Sequence, residues 1–197
     1  MSTRLGRRER KKLETRDRLV ACAAALFTER GYVSTTMDDI AECADVARAT
    51  VFNYFTRKED LVLAWFGQRR GELAEILADS ADADTDTSGR LRDAIRTIAR
   101  FFTEAPATGR AMVRAWLQAG GPMLAPGSET PRMFASIIRS GQQEGDVAAD
   151  IDPERAGLVI FDAYLGVLYR WGTVDGDPSP LEDDLIAALD VVLAGIV

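Results

Sequence analysis

The stretch RATVFNYFTRKEDL, residues 48–61, groups side chains that could bind nucleic acid. Arg48, Thr50 and Asn53 carry hydrogen-bond donors and acceptors of the kind that reach base edges in a DNA groove. Tyr54 offers a hydroxyl group to a phosphate. Because single polar residues on an exposed helix are usually only solvated, the hypothesis rests on the combination.

The residues around this stretch predict helices that must hold it in place. The first begins near Leu13 and ends at Arg30, because Gly31 is a natural C-terminal stop. Its predicted buried stripe has helical spacing and consists of Val20, Ala23, Ala24 and Phe27. A later, long helix begins near Thr56. Lys58 in its first turn is a further candidate for phosphate contact, since the free amides there favour an anion.

Two short helices, the second and third, lie between these long ones. Thr35 or Thr36 caps the second helix, and two aspartates favour its positive end. Its predicted buried side consists of Met37, Ile40, Ala41 and Ala44. The predicted inner face of the third helix consists of Ala47, Val51 and Phe55. A helix pair of this kind, with the second helix polar on its outer face, predicts a helix-turn-helix that enters the major groove.

Charge is unevenly distributed along the 197 residues. Residues 1–60 carry 12 Lys and Arg against 10 Asp and Glu, a net charge of +2, whereas the remainder carries −9. The basic residues are densest in residues 1–12, which predict a flexible arm that enters a minor groove or strengthens backbone attraction. A disordered solubilising tail is the alternative. A basic end on an acidic body would orient the molecule toward a polyanion.

The composition excludes several classes of site. The chain has no His, the commonest general base and transition-metal ligand, and no glycine-rich phosphate loop or nucleophile motif. We therefore expect no enzyme, no cofactor and no metal site. Residues 82–93 space aspartates like a calcium loop, but Thr87 stands where that loop needs glycine. Cys22 and Cys43 lack CxxC spacing and lie in apolar helical patterns, so we expect reduced core residues.

Residues 13–61 resemble the DNA-binding head of the TetR family of bacterial transcriptional repressors. The family's F-x-x-x-G-[YF]-x-x-[ST]-[ST] motif is met by Phe27, Gly31, Tyr32, Thr35 and Thr36. Its aromatic-rich recognition helix followed by F-x-x-K-x-x-L is met by Phe52, Tyr54, Phe55, Lys58 and Leu61. The resemblance implies a helix-turn-helix domain at residues 13–60 and a double-stranded DNA operator as partner. The DNA-contacting residues that it implies are Thr35, Thr36, Arg48, Ala49, Thr50, Asn53, Tyr54 and Lys58.

The turn between the short helices departs from the family's usual Ala-Gly-Val-Ser and reads Ala44, Asp45, Val46, Ala47. Asp45 must therefore adopt a conformation that glycine accepts more easily. Ala47 cannot cap the third helix as a serine would, so Asp45 could cap it instead. Asn53 stands where the family commonly has tyrosine, which bears on the operator that is read.

Residues 61–197 resemble the family only in length and helix count. No strand-like alternation persists, so the predicted fold class is all-α: a three-helix head joined by a long helix to a helical effector-binding and dimerisation body. The family implies a small-molecule effector, and the large apolar side chains suggest a hydrophobic or aromatic one. The predicted pocket consists of Phe102, Met112, Arg114, Trp116, Met133, Phe134, Phe161, Asp162 and Tyr164. Arg114 and Asp162 interrupt apolar runs, and they pair with each other or with surface groups, or one of them anchors the ligand.

The C-terminal segments predict a homodimer. Residues 157–171 are apolar on nearly every side and need cover from two directions, and the final helix carries an apolar stripe. The predicted interface consists of Leu158, Leu165, Leu185, Leu189, Val192 and Ile196. Gly157 and Gly166 would permit close approach of the partner, or are neutral. A two-fold dimer demands a palindromic operator. Since no long apolar stretch or signal peptide is present, we expect a cytoplasmic protein with no membrane partner.

The predicted function is a ligand-responsive transcriptional regulator, a repressor that an effector releases from its operator. By hypothesis, the effector shifts the body helices and tilts the long fourth helix, with a coupling of about 1–3 kcal/mol. The alternatives are a small-molecule-binding helical protein with vestigial DNA binding and, less favoured, an enzyme. Activation instead of repression stays open.

Overall fold

The computed structural model describes residues 6–79, 85–120, 129–174 and 180–195. Within these ranges every regular element is an α-helix, which confirms the predicted fold class. The helices are α1 (Arg7–Arg30), α2 (Met37–Cys43), α3 (Arg48–Tyr54), α4 (Lys58–Asp79), α5 (Thr87–Thr103), α6 (Pro106–Gln118), α7 (Glu129–Glu144), α8 (Pro153–Thr173) and α9 (Leu181–Leu193). The aspartates at 82 and 84 of the calcium-like spacing and the predicted interface residue Ile196 lie outside the described residues.

Helix α1 begins at Arg7, six residues before the predicted Leu13. The prediction of a flexible arm is therefore wrong for residues 7–12. Glu9 gives the physical reason, because its carboxylate accepts a hydrogen bond from the Gly6 amide at 3.1 Å and lies in the first turn, where negative charge is favoured. The Lys and Arg residues that follow also have high helix propensity.

The head is built around α1, which packs against α2, α4 and α6. Leu19 and Phe27 on α1 are buried, as are Ile40 on α2, Val51 on α3 and Phe55 just after it. On the predicted inner faces, Met37 is only half-buried and Ala47 is exposed. Ala47 is exposed because it is the N-cap of α3, so its backbone is extended and it does not belong to the helical face.

A disulfide joins Cys22 on α1 to Cys43 at the end of α2. The prediction of two reduced core thiols is therefore wrong. Cys22 is half-buried and Cys43 is exposed. The short loop after Gly31 folds α2 back across α1, which brings the two Cα atoms to 5.8 Å, within the normal range for a disulfide.

The body packs α8 against α6, α7 and α9, while α5 contacts α4, α6, α7 and α9. Gly157 on α8 is buried against α7: a Cβ atom there would lie 2.5 Å from the Pro131 carbonyl oxygen and 2.7 Å from the Ala135 amide nitrogen. The close approach that Gly157 permits is thus within the chain. Of the helices described, none combines the length and apolar character needed to cross a bilayer.

Candidate nucleic-acid interface

Helix α2 is fixed at its N-terminus by a capping box between Thr36 and Asp39. The Thr36 hydroxyl accepts a hydrogen bond from the Asp39 amide at 3.1 Å, and the Asp39 carboxylate accepts from the Thr36 hydroxyl and amide, each at 2.7 Å. The hydrogen bonds from the Thr36 hydroxyl and then its amide hold the pKa of Asp39 below its ordinary value. The Thr36 side chain therefore orders α2, whatever further contact it makes.

Thr35 has a different position from the one predicted. Its side chain is fully buried, and its hydroxyl donates to the Gly31 carbonyl oxygen at 2.8 Å. A buried hydroxyl that is already paired has no access to DNA. The prediction of Thr35 as a DNA-contacting residue is wrong, and its role is to close the loop between α1 and α2.

The turn between α2 and α3 takes the conformation expected of it. Asp45 has φ of +50°, the left-handed region that aspartate tolerates, and the Val46 amide donates to the Ala41 carbonyl oxygen at 3.0 Å. The N-cap of α3 is Ala47, and no side chain caps this helix. The suggested cap by Asp45 is therefore wrong, because the turn uses Asp45 for its backbone conformation.

Helix α3 presents most of its surface to solvent. Arg48, Ala49, Phe52 and Asn53 are exposed, whereas Val51 is fully buried and anchors the helix. The two remaining predicted contacts, Thr50 and Tyr54, are half-buried. The outward face is thus the one that the sequence predicted for groove contacts.

Arg48 is held in place by neighbours within the head. Its Nη1 atom donates to Asp38 Oδ2 at 2.9 Å, and its guanidinium lies 5.5 Å from the centroid of the Phe52 ring. Both partners of the ion pair are exposed, with side-chain exposures of 67% for Arg48 and 58% for Asp38. Because an exposed pair of this kind contributes at most about 1 kcal/mol, a nucleic acid could displace Asp38.

The sequence suggested that Lys58 is a cation at a helix start, available to a phosphate. In the structure its side chain is bonded within the head. Its Nζ atom donates to the carbonyl oxygens of Tyr32 and Thr35, both at 2.7 Å, and lies 4.4 Å from the centroid of the Tyr32 ring. The Tyr32 hydroxyl in turn donates to Glu59 Oε1 at 2.8 Å. Lys58 is therefore a positioning residue that ties the first turn of α4 to the loop between α1 and α2.

The Tyr32 and Glu59 pair reinforces this connection. Burial, followed by the hydrogen bond to Glu59, raises the pKa of Tyr32 far above its ordinary value, so the hydroxyl stays protonated and donates. The pKa of Glu59 is lowered, first by its own backbone amide and also by the Tyr32 hydroxyl. The carboxylate at the start of α4 also suits the positive end of that helix.

A basic concavity lies between the N-terminal half of α1 and the turn and helix α3. It has a volume of about 710 Å³ and is open to solvent. Its lining consists of Arg8, Glu9, Lys11, Lys12, Thr15, Arg18, Val46, Thr50 and Tyr54. Four cations and one carboxylate thus lie next to the outward face of α3. This arrangement depends on the helical start of α1, which the prediction of an arm missed.

The order of these elements matches a known family. The model for bacterial regulatory proteins of the tetR family matches residues 19–65, which begin within α1, contain α2 and α3, and end in the first turns of α4. The chain is a TetR-family transcriptional regulator.

Relatives of this TetR-family regulator align well beyond the head. The "Probable acrEF/envCD operon repressor" of Escherichia coli (strain K12) is 25% identical over 170 residues, which cover 81% of this chain and 76% of that protein. The "HTH-type transcriptional repressor KstR" of Mycobacterium tuberculosis is 25% identical over 160 residues, with 81% and 72% covered. Thermus thermophilus FadR, a TetR-family repressor crystallised with lauroyl-CoA, is 26% identical with a TM-score of 0.74, covering 92% of this chain and 95% of that one. These relatives are regulators and not enzymes.

The predicted effector pocket of the regulator is mostly core. Met112, Trp116, Phe134 and Phe161 are buried among the body helices, and Met133 is half-buried. Of the nine predicted residues, Phe102 and Tyr164 line a body cavity that the described residues enclose. A buried side chain can belong to a pocket wall or to plain packing, so the other buried members of the predicted pocket stay a prediction.

The two interrupting charges, Arg114 and Asp162, are both exposed, as the predicted alternative of pairing with surface groups requires. The Nε atom of Arg114 donates to the Gly172 carbonyl oxygen at 2.7 Å, and Asp162 is exposed on the outer side of α8. Among the residues that the structure describes, the two form no ion pair with each other. Asp162 is thus a surface residue and not part of the pocket.

The body cavity lies between α4, α5, α7 and α8 and has a volume of about 30 Å³. Its lining consists of Phe66, Arg69, Arg70, Leu73, Ile98, Phe101, Phe102, Thr130 and Tyr164. The predicted pocket did not include the α4 residues, although their spacing of i, i+3, i+4 and i+7 marks one helix face. Arg69 and Arg70, which lie between the apolar residues Phe66 and Leu73 of this face, were the available signal.

Exposed apolar side chains lie on α8 and α9. Leu158, Val159, Tyr169 and Val191 are 49%, 51%, 53% and 78% exposed. The predicted interface residues Leu185 and Leu189 are instead buried, because that face of α9 packs against α5 and α8. Leu165 and Val192 are half-buried.

Proposed function

We propose that this regulator binds a palindromic operator as a homodimer through α3 and the basic concavity, and that an effector bound in the body releases it. The observation that carries the proposal is the outward face of α3 beside four cations of α1. Arg48, Thr50 and Asn53 would reach base edges, since a short exposed helix of this kind fits a major groove. Tyr54 and the α1 cations would contact phosphates.

The exposed apolar face of α8 and α9 is the proposed dimer surface. Its exposed apolar side chains are Leu158, Val159 and Tyr169 on α8 and Val191 on α9, and a patch formed by them would mark an interaction site. A two-fold axis through the patch would present two copies of α3. Their separation would be about one DNA turn, 34–36 Å, or a multiple of it.

The proposed coupling runs through α4. This helix begins with Lys58 and Glu59, which are bonded to the α1–α2 loop, and continues to Phe66, Arg69 and Arg70, which line the body cavity. A ligand that widens the cavity would have to move α4, and the bonds in its first turn would transmit that movement to the head. Ligand and operator would then weaken each other's binding reciprocally.

The experiment is fluorescence anisotropy with DNA from upstream of the protein's own gene, compared with scrambled DNA across a salt series. We expect specific binding that weakens with salt, and a loss of about 1–3 kcal/mol for Asn53→Ala on the specific DNA alone. Gln143→Ala, an exposed change on α7, is the matched control. The alternative, a vestigial head, would be favoured if the protein bound both DNAs weakly and equally and if Asn53→Ala did not change this binding. The same result would have to hold for the DNA sites recovered by genome-wide site selection.

A further inference from the structure

The body cavity is lined mainly by apolar side chains, and a few residues with polar groups complete its lining. Phe66, Leu73, Ile98, Phe101 and Phe102 supply the apolar part of the lining. Three further lining residues each carry a buried hydrogen-bond donor that has no acceptor among the described residues: Arg69 Nε, Arg70 Nε and Thr130 Oγ1. Thr130 is only 4% exposed, so its hydroxyl has little access to bulk water. Buried donors without acceptors are unusual in folded proteins, and each one calls for a partner.

The acidic groups near these arginines lie outside the cavity. Arg69 Nη1 donates a hydrogen bond to Glu72 Oε1 at 3.2 Å. Arg70 Nε lies 3.6 Å from Glu129 Oε2, and this distance is too long for a hydrogen bond. The Glu129 side chain is 77% exposed. None of the residues that line the cavity is acidic. The cavity lining therefore includes two guanidinium groups, while the carboxylates that neighbour them are not part of the lining.

We propose that the effector is an anion joined to an apolar chain, whose negatively charged oxygens accept hydrogen bonds from Arg69, Arg70 and Thr130. This rests on the proposed function, in which an effector binds in the body. A carboxylate or phosphate matches a guanidinium better than any neutral group does, because a hydrogen bond between two groups of opposite charge is charge-assisted. Two sources share this chemistry: a free long-chain carboxylate and an acyl thioester of a phosphate-bearing carrier.

The size of the cavity indicates how such a ligand would enter. At about 30 Å³ it holds no more than one small group, whereas sites for whole ligands measure about 300–1,000 Å³. The apolar chain would therefore displace side chains between α4 and α5. Both arginines are on α4, so the binding of the anion acts on the helix that leads to the head.

The test measures direct ligand binding to the full-length protein by tryptophan fluorescence and calorimetry, without DNA. The probes are dodecanoate, dodecanoyl-CoA and 1-dodecanol, which has the same chain without the charge. We expect at least one of the two anions to bind about tenfold more tightly than 1-dodecanol. Whichever anion binds identifies the source.

Variants then assign the binding to the cavity. Arg70→Gln and Thr130→Val should each weaken binding of the anion about tenfold and leave 1-dodecanol unchanged. Arg132→Gln, an exposed arginine change on α7, is the matched control. Arg70→Lys and Thr130→Ser, which keep the charge or the hydroxyl, should restore part of the affinity and exclude a folding defect as the cause.

Two results would overturn the proposal: equal affinity for the anions and 1-dodecanol, or anion binding that neither Arg70→Gln nor Thr130→Val weakens. Operator binding without ligand is measured separately. If the anion binds in the cavity but leaves operator affinity unchanged, the proposed release mechanism fails while the ligand class stands. If operator binding responds to other compounds only, the ligand class fails and the regulator stands.

Discussion

The short helices of the head and the long helices of the body are held in place by different interactions. In the head, α2 and α3 have seven residues each, with two buried residues in α2 and one in α3. Their positions depend on the Thr36–Asp39 capping box and the bonds from Lys58 to the preceding loop. In the body, α8 alone has 21 residues and buries nine.

The two regions should therefore be sensitive to different kinds of substitution. A few individual hydrogen bonds hold the reading surface, so replacing one polar side chain should disturb it while leaving the body folded. Close packing holds the body, so steric changes should matter there more than the loss of surface polar groups.

The largest effect is expected at Gly157 in the body. Gly157→Val would force α8 away from the α7 backbone, because even a Cβ atom would lie 2.5 Å from the Pro131 carbonyl oxygen. We expect a loss of about 3–4 kcal/mol in the free energy of unfolding, measured by chemical denaturation. Gly166→Ala is the control on the same helix, since the nearest atom to its added Cβ is Arg170 Nη1 at 3.8 Å. A loss of similar size in both variants would contradict the role of the α7 contact.

Reducing the disulfide of the head should have the next largest effect. The bond closes a separation of 21 residues between Cys22 and Cys43, for which the chain-entropy model gives about 3 kcal/mol. We expect that loss on treatment with a phosphine reductant, together with faster hydrogen exchange in α2. The Cys22→Ser/Cys43→Ser double variant should not respond to the reductant. An unchanged free energy of unfolding in the wild type would show that the bond does not hold the head.

Lys58→Met should destabilise the head by about 2 kcal/mol, because two carbonyl oxygens lose a charged donor. Operator affinity should fall with it, since the first turn of α4 is no longer tied to the loop. Arg57→Met is the neighbouring control, because Arg57 is exposed and its ion pair with Asp60 is long, at 3.8 Å. If Lys58→Met lowered operator affinity without changing stability, Lys58 would be a phosphate contact after all.

The smallest effect concerns pH at a polar contact of the body. Burial opposes ionisation of Asp146, but hydrogen bonds from the Thr87 amide at 2.7 Å and hydroxyl at 2.8 Å outweigh it and lower the pKa. The stabilisation is therefore present above the ordinary pKa of 3.8 and is lost as the pH falls through the lower folded value. Because the carboxylate is exposed, we expect less than about 1 kcal/mol.

Denaturation of Asp146→Asn between pH 7 and pH 2 measures this contribution. The variant should be less stable than the wild type at pH 7, and the difference should narrow in acid. Asp150→Asn, another exposed carboxylate change, is the control. A difference that widened in acid would contradict the sign of the pKa shift.

The sequence predicted the head better than the body because head contacts are local. The cap by Thr36, the left-handed Asp45 and the outward Arg48 and Asn53 each follow from residues a few positions apart. The body cavity was predicted poorly, since Phe134 and Phe102 look alike in sequence and only one lines it. The predicted interface face of α9 is instead a buried face within the chain, because an apolar stripe in the sequence does not indicate which helix packs against it.

The all-α fold, the family and the outer face of α3 could be predicted from the sequence, because helical periodicity, caps and turn residues act between neighbours along the chain. Only the tertiary structure decided that Cys22 meets Cys43, that Lys58 binds the Tyr32 and Thr35 carbonyl oxygens, and that buried donors of Arg69, Arg70 and Thr130 share one cavity. These contacts join residues that are 21 to 61 positions apart, and packing of whole helices brings them together.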